Sequence, residues 1–262
     1  MYNAGPKAAA AWRALFERVF ADTAIDVAIV EHVFPRPIES LWAEPDLCCA
    51  FMCGWPFTRS RIAMQAIAAP VPSPARYESL PRYCSDFLVR EESGWKCVED
   101  GFGSRFGWMA ANSQSGFNAP RAHLARLRGA GRDSLFSEVR GPLGNPAKAI
   151  EALRHREIDM AALDGFYLDL VRHDDPARLE GLAVVGSTPW TAIPLLVAAP
   201  AVARETVAAL QAHLLALHER KGYAPLLREA LLARFVAPEP DRYAALEEMA
   251  RRAEESGYAS IR

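Results

Sequence analysis

The stretch Asn112-Ser113-Gln114-Ser115-Gly116-Phe117-Asn118 has the residue types and order of an anion seat. Hydroxyls, amides and a glycine stand where an apolar strand-like run, Phe106 to Ala110, passes into a helix-like one, Ala119 to Arg128. The first turn of a helix has N–H groups without internal partners, and the helix dipole concentrates partial positive charge there, so a small anion is the natural guest. Serine and asparagine are also ordinary helix N-caps, and that plainer role fits the segment equally well when it is taken alone.

Other polar or special residues stand at the ends of other predicted strands: Cys53-Gly54-Trp55, Asp164 and Thr188. Ligands of open α/β sheets bind outside the carboxyl ends of the strands, so this accumulation is what a ligand site predicts. Trp55, between Gly54 and Pro56, suits either a binding wall or a plug at a sheet edge. Asp164 suits either ligand contact or the cap of the following helix. Arg105, Arg121 and Arg140 lie near the seat in sequence and have the fork geometry for bidentate anion pairing, although most arginines are solvated surface residues. Cys53 has the position of a nucleophile, but that role requires a neighbouring base. The 6 histidines fall on segments that read as surface helices or loops, which favours a small buried thiol.

Alternating helices and strands must position these residues. Ala8 to Phe20 carries apolar residues at helical spacing (Ala11, Trp12, Leu15, Phe16, Val19, Phe20). Asp26 to Val30 reads as a strand, Ile38 to Trp42 as a short helix, Leu47 to Met52 as a buried strand, and Cys53 to Pro56 as a turn. Strands follow at Ala66 to Val71, Tyr83 to Arg90, Leu135 to Val139, Ile158 to Leu163, Leu182 to Thr188 and Ile193 to Ala198, with a helix at Lys148 to Leu153. From Ala201 two or three amphipathic helices finish the chain. Such alternation predicts a mostly parallel, helix-covered sheet.

Composition excludes several classes. With 262 residues the chain has room for one large domain or two lobes, and 51% apolar residues guarantee a core. A net charge of -2, with basic and acidic residues interspersed, gives no field for nucleic acid. The 5 cysteines form no CxxC pair and have no histidines at metal-ligand spacing, so no metal, cofactor or disulfide framework is expected. Lys7, Arg13, Glu17 and Arg18 interrupt the first twenty residues, so no secretory h-region is read there. No run of about 18 uncharged apolar residues occurs, so the chain is not expected to be membrane-embedded.

Four segments, in order and at fitting distances, then carry a resemblance: Leu47 to Met52 running into Cys-Gly-Trp-Pro-Phe, Tyr83-Cys84-Ser85-Asp86-Phe87-Leu88-Val89-Arg90, Ser113 to Ala119, and Ile158 to Asp164. Together, across about residues 40 to 200, they resemble the phosphonate/phosphate/phosphite-binding family of ABC-transporter solute-binding proteins. The resemblance implies the two-lobe type II periplasmic-binding-protein fold with two hinge crossings, residues 1–84 and 190–262 forming one lobe and 85–189 the other. It implies capture of a small phosphorus-oxyanion-like ligand between the lobes by hinge closure, not catalysis, with an ABC permease as partner and a periplasmic location. Ser113, Gln114 and Ser115 would donate hydroxyl and backbone N–H groups, Trp55 and Tyr83 would wall the cleft, and Asp164 would accept from a protonated oxygen or an ammonium. Asn145 and Thr188 complete the expected set. The chain departs from the family at Gly144-Asn145-Pro146, where many relatives show Gly-Ser-His, so a histidine and a backbone donor are missing. The charged amino terminus also leaves open a cytosolic sensor or regulatory partner on the same fold, and an enzyme acting through Cys53 or Asp164 is the third reading.

Overall fold

The computed structural model describes residues 2–32, 35–129 and 132–262. Along the chain, helix α1 (Pro6–Thr23) and α2 (Ile38–Trp42) precede β1 (Ala50–Met52), α3 (Gly54–Arg59) and β2 (Gln65–Pro72). Then come β3 (Arg82–Tyr83), β4 (Ser85–Arg90), β5 (Arg105–Gly107), a single π-helical turn (Gln114–Asn118) and α4 (Ala119–Leu127). They are followed by β6 (Glu138–Arg140), α5 (Pro146–Arg154), β7 (Met160–Asp164), α6 (Gly165–Asp174), β8 (Leu182–Ser187), β9 (Thr191–Ala192) and β10 (Leu195–Ala198). The chain ends with α7 (Arg204–Leu215), α8 (Tyr223–Glu229), β11 (Leu232–Val236) and α9 (Pro240–Glu255).

These elements form two compact units, Met1–Arg82 with Ala192–Pro240, and Tyr83–Thr191 with Asp241–Arg262. The chain therefore passes between units three times, and α9 with the tail belongs to the second unit, whereas the sequence reading placed every C-terminal helix in the first. The reason is packing: Tyr258 and Ile261 are buried in the second unit's core beside Phe87, Phe106 and Leu124.

The first unit is built on a four-stranded sheet, β1-β10-β2-β11, whose ladders are all antiparallel. Strand β2 has one neighbour over each half, β10 along 65–68 and β11 along 69–72. A strand carrying Pro70 and Pro72 is tolerated where a ladder runs on one side only. Strand β11 was not foreseen, because its five residues lie between helical patterns and its apolar positions merge with theirs. Asp26 to Val30, expected as a strand, alternates between partly buried and exposed residues but has no ladder; Val30 is 69% exposed. Helix α1 buries Ala8, Trp12, Leu15 and Val19, one stripe at helical spacing. Its end is tied down by the Tyr223 hydroxyl, which donates to Asp22 at 3.0 Å and accepts from the His213 ring at 2.9 Å. Burial first, then Asp22, pushes the Tyr223 pKa up to about 12, so the phenol keeps its proton.

The second unit carries a five-stranded sheet ordered β6-β5-β7-β4-β8. Strand β5 is parallel to β6 and β7, while β4 is antiparallel to both β7 and β8. The two sheets are thus mixed or antiparallel, not mostly parallel as the βαβ pattern suggested. Neighbours such as β4 and β8 are not joined by a crossover helix but are brought together from opposite ends of the unit's main segment. One face of the sheet, bearing Phe87, Val89, Phe106, Met160 and Ala162, is covered by Leu124 of α4 and by Tyr258 and Ile261.

Charge locks the edge of this sheet where β5 and β7 begin and β4 ends. Asp159 accepts from Arg90 at 2.6 Å and from two guanidinium nitrogens of Arg105 at 2.9 Å each. Arg90 also donates to the carbonyls of Leu153 and Ile158 at 2.9 and 2.7 Å. The Arg105 hydrogen bonds foremost, aided by Arg90, hold the Asp159 carboxyl well below the usual carboxylate range. A depressed folded-state pKa gives stability that is complete above the unfolded value near pH 3.9 and is lost as pH falls through the folded one. Asp159→Asn is therefore expected to lower urea-unfolding stability by about 1–3 kcal/mol at neutral pH, and its deficit relative to the parent should shrink below about pH 4. A deficit that does not change with pH contradicts this role.

Candidate functional site

The parallel strands β5 and β7 and their parallel-running companions β6 and β8 all end at one edge of the second unit's sheet. Six of the expected residues follow or close those strands. Ser113, Gln114 and Ser115 come after β5, Asn145 after β6, Asp164 closes β7 and Thr188 comes directly after β8. Ser85 begins the opposite-running β4 at the same edge, and Tyr83, which closes β3, stands two residues before it. The register makes Ser85 the direct ladder partner of Asp164. The Ser85 N–H donates to Thr188 Oγ1 at 2.9 Å, and the Thr188 N–H returns a bond to the Ser85 carbonyl at 2.9 Å.

The serine-rich segment is wound as one wide turn. Ser113 is extended (φ -81°, ψ 126°) and caps it, its Oγ accepting from the Gly116 N–H at 2.9 Å. The first backbone bond of the turn runs from the Asn118 N–H to the Ser113 carbonyl at 3.0 Å, an i to i+5 closure. The N–H groups of Gln114 and Ser115 precede that closure, so helical geometry supplies them no acceptor. Both stand where the dipole of the nine-residue α4 is most positive. Single π turns of this kind recur at functional sites. Gly116 is required by packing: a Cβ there would collide with the Met109 side chain.

Not every expected donor faces the same way. The Gln114 side chain is fully buried, donating to Met249 Sδ at 3.6 Å and accepting from the Asn118 amide at 2.8 Å, so only its backbone is left for a guest. Asn145 caps α5, accepting from the Lys148 N–H at 2.9 Å. Asp164 is buried and caps α6, accepting from the N–H groups of Phe166 and Tyr167 at 2.8 and 3.0 Å. Thr188 Oγ1 is committed to the Ser85 N–H and to the Pro189 carbonyl. Tyr83 is 1% exposed. Trp55 lies in the first unit, buried, with the Arg59 guanidinium 5.1 Å above its ring. Cys53-Gly54-Trp55-Pro56, expected as a turn, is the cap and first turn of α3, where proline is tolerated.

The three arginines near the seat in sequence all serve the scaffold. Arg105 binds Asp159, and Arg140 pairs with Glu138 at 2.6 Å. Arg121 is 2% exposed and donates to the Ala259 carbonyl at 2.7 Å and to Asn118 Oδ1 at 3.1 Å. Ser85 was passed over in the sequence. Its residue is 1% exposed and its Oγ has no hydrogen-bond partner among the described residues. Its alternation with the core residue Phe87 was the available signal. Among the described residues no cluster of His, Cys, Asp and Glu suits a metal ion, and no helix is long and apolar enough to cross a membrane.

Comparison with known proteins follows the same lines. The family model described as "ABC transporter, phosphonate, periplasmic substrate-binding protein" matches residues 49–243. A binding-protein component of an ABC phosphonate transporter from Pseudomonas aeruginosa superposes with a TM-score of 0.79 at 15% identity, over 95% of this chain and 82% of its own. PhnD1 from Prochlorococcus marinus in complex with methylphosphonate gives 0.74 at 17% identity, over 93% and 92%. A Xanthomonas citri protein bound to ATP gives 0.65 at 15%, over 94% and 93%. No curated protein matches at the level of sequence.

Asp164 can be tested for its two roles separately. An asparagine keeps an acceptor for the α6 cap and an alanine does not, so Asp164→Ala should cost about 1 kcal/mol in chemical unfolding and Asp164→Asn a few tenths at most. Equal losses in both variants contradict the capping role.

Proposed function

The chain belongs to the phosphonate substrate-binding proteins of ABC transporters, with their two-lobe α/β fold, and from that premise we propose that the turn from Ser113 to Ser115 receives the anionic head of a small phosphorus oxyanion. The observation that carries the reading is the pair of N–H groups, Gln114 and Ser115, at the start of the π turn that leads into α4, without helical acceptors. Phosphonate and phosphate oxygens are strong acceptors, and bonds from backbone N–H groups to a charged oxygen are shorter and stronger than neutral ones. The Ser113 and Ser115 hydroxyls add donors beside them; Ser113 Oγ accepts from the Gly116 N–H and keeps its own proton to donate. The methylphosphonate complex of the Prochlorococcus marinus protein supports this ligand class.

Asn145 and Pro146 set the limits of the ligand. The Asn145 side-chain oxygen Oδ1 accepts from the Lys148 N–H, and Pro146 has no N–H to give, so this corner supplies fewer donors than a serine and histidine would. A head group with a compact apolar substituent, such as methylphosphonate, asks for fewer donors than phosphate does. The family's periplasmic location and an ABC permease as partner are proposed for this chain on the same premise.

Calorimetric titration with methylphosphonate, phosphite, phosphate and sulfate tests the reading. Methylphosphonate is expected to bind one per chain, and Ser113→Ala with Ser115→Ala should weaken it by about 1–3 kcal/mol, roughly 5- to 150-fold, because each hydrogen bond to a charged group contributes on that order. A double variant that binds as the parent does places the site elsewhere. A folded parent that binds none of the four removes the ligand class.

A further inference from the structure

The second unit holds a groove of about 680 Å³ that the anion seat does not use. It runs between α4 and α9, which lie side by side and parallel: Asn118 donates to the Leu246 carbonyl at 3.1 Å and Arg128 to the Ser256 carbonyl at 2.7 Å. Arg121, donating to the carbonyls of Ala250 and Ala259, fastens the pair. The walls are mostly methyl groups, among them Ala119, Ala122, Ala245 and Met249. Volumes of this size suit a small organic ligand, and such sites combine apolar walls with a few polar groups that fix orientation.

Two polar side chains of α4 line the groove one helical turn apart, His123 and Arg126. The Arg126 guanidinium makes no hydrogen bond or ion pair among the described residues, and the His123 ring makes no hydrogen bond, only a tilted contact with Phe87 at 5.4 Å. The other arginine of the rim, Arg252, is neutralised by Glu248 at 2.6 Å. An apolar trough with one unpaired cation at its rim is complementary to a molecule with an apolar body and one negative head. Burial, then Arg126, lowers the His123 pKa, so the imidazole is neutral and able to donate to that head.

We propose that this groove is a second ligand site, for an amphiphilic monoanion such as a medium-chain carboxylate, its chain along the alanines of α4 and α9 and its head between His123 and Arg126. From Ala119 to Arg126 the wall is about 10 Å long at the rise of an α-helix, which an eight-carbon chain spans. The site is separate from the Ser113 turn and its test is independent of phosphonate binding.

Octanoate is the probe, with 1-octanol as its uncharged counterpart. Calorimetry on the intact chain is expected to show saturable one-to-one binding of octanoate, at least tenfold tighter than octanol and at least tenfold weaker in Arg126→Gln, an exposed position where folding is not at stake. Ala122→Phe, which fills the trough, should abolish binding, with its melting curve confirming that the protein is folded. The His123 ring protons should shift on titration of the parent. Methylphosphonate binding should be unchanged in both groove variants, and octanoate binding unchanged when Ser113 and Ser115 are alanine. Absence of saturable octanoate binding to the folded parent, affinity unaffected by Arg126→Gln, or competition between octanoate and methylphosphonate overturns the proposal.

Discussion

Backbone donors at the start of the π turn ahead of α4 that helical geometry cannot satisfy are the constraint around which the second unit is arranged. A helix always leaves such groups, and most proteins cover them with a side-chain cap or with water. Here the Ser113 hydroxyl covers Gly116, and the wide closure to Asn118 leaves the Gln114 and Ser115 donors ahead of it at the carboxyl edge of the sheet. Winding the segment tighter would bring a further N–H into a helical bond. The close approach of Gly116 to Met109 fixes the turn against that change.

The rest of the unit holds this turn still. Gln114 and Asn118 point their amides inward to each other and to α9, so the same residues that expose backbone donors bury their side chains. Arg121, one turn further, spans to α9 and the tail, which is why the last residues of the chain belong with this unit although they are far away in sequence. At the far edge, the Arg90–Asp159–Arg105 cluster joins β4, β5 and the entry to β7, fixing the register on which the alignment of strand ends depends. Charge secures one edge, while at the other the hydroxyls of Ser85, Ser113, Ser115 and Thr188 gather near the capping carboxylate of Asp164.

The capped turn ahead of α4 was legible because its signal is local: a serine cap, a glycine and a change of hydrophobic period within seven residues. The alternation of helices and strands was legible for the same reason at α1, β2, α5 and β8. What failed was whatever depends on partners distant in sequence. Strand direction was misjudged because β4 lies between β7 and β8, both reached from far along the chain. Asp26 to Val30 has a strand's alternation and no ladder, and β11 has a ladder and no distinct pattern. Among the site residues, Asp164 closes its strand as expected and Asn145 stands in the loop after β6, yet each carboxyl or amide oxygen serves a helix cap, which a sequence that allows both roles does not separate. Ser85 opens a strand whose other inward positions are apolar, and only the register brought it beside Asp164 and Thr188.

Amide NMR of the uniformly labelled protein during titration with methylphosphonate tests the central claim most directly, since it observes the two N–H groups themselves. The account predicts that the Gln114 and Ser115 amide protons move furthest and downfield, as donors to a charged oxygen do, with Gly116 shifting less because its partner is already Ser113. Largest shifts elsewhere in the second unit, with Gln114 and Ser115 unmoved at saturation, contradict it.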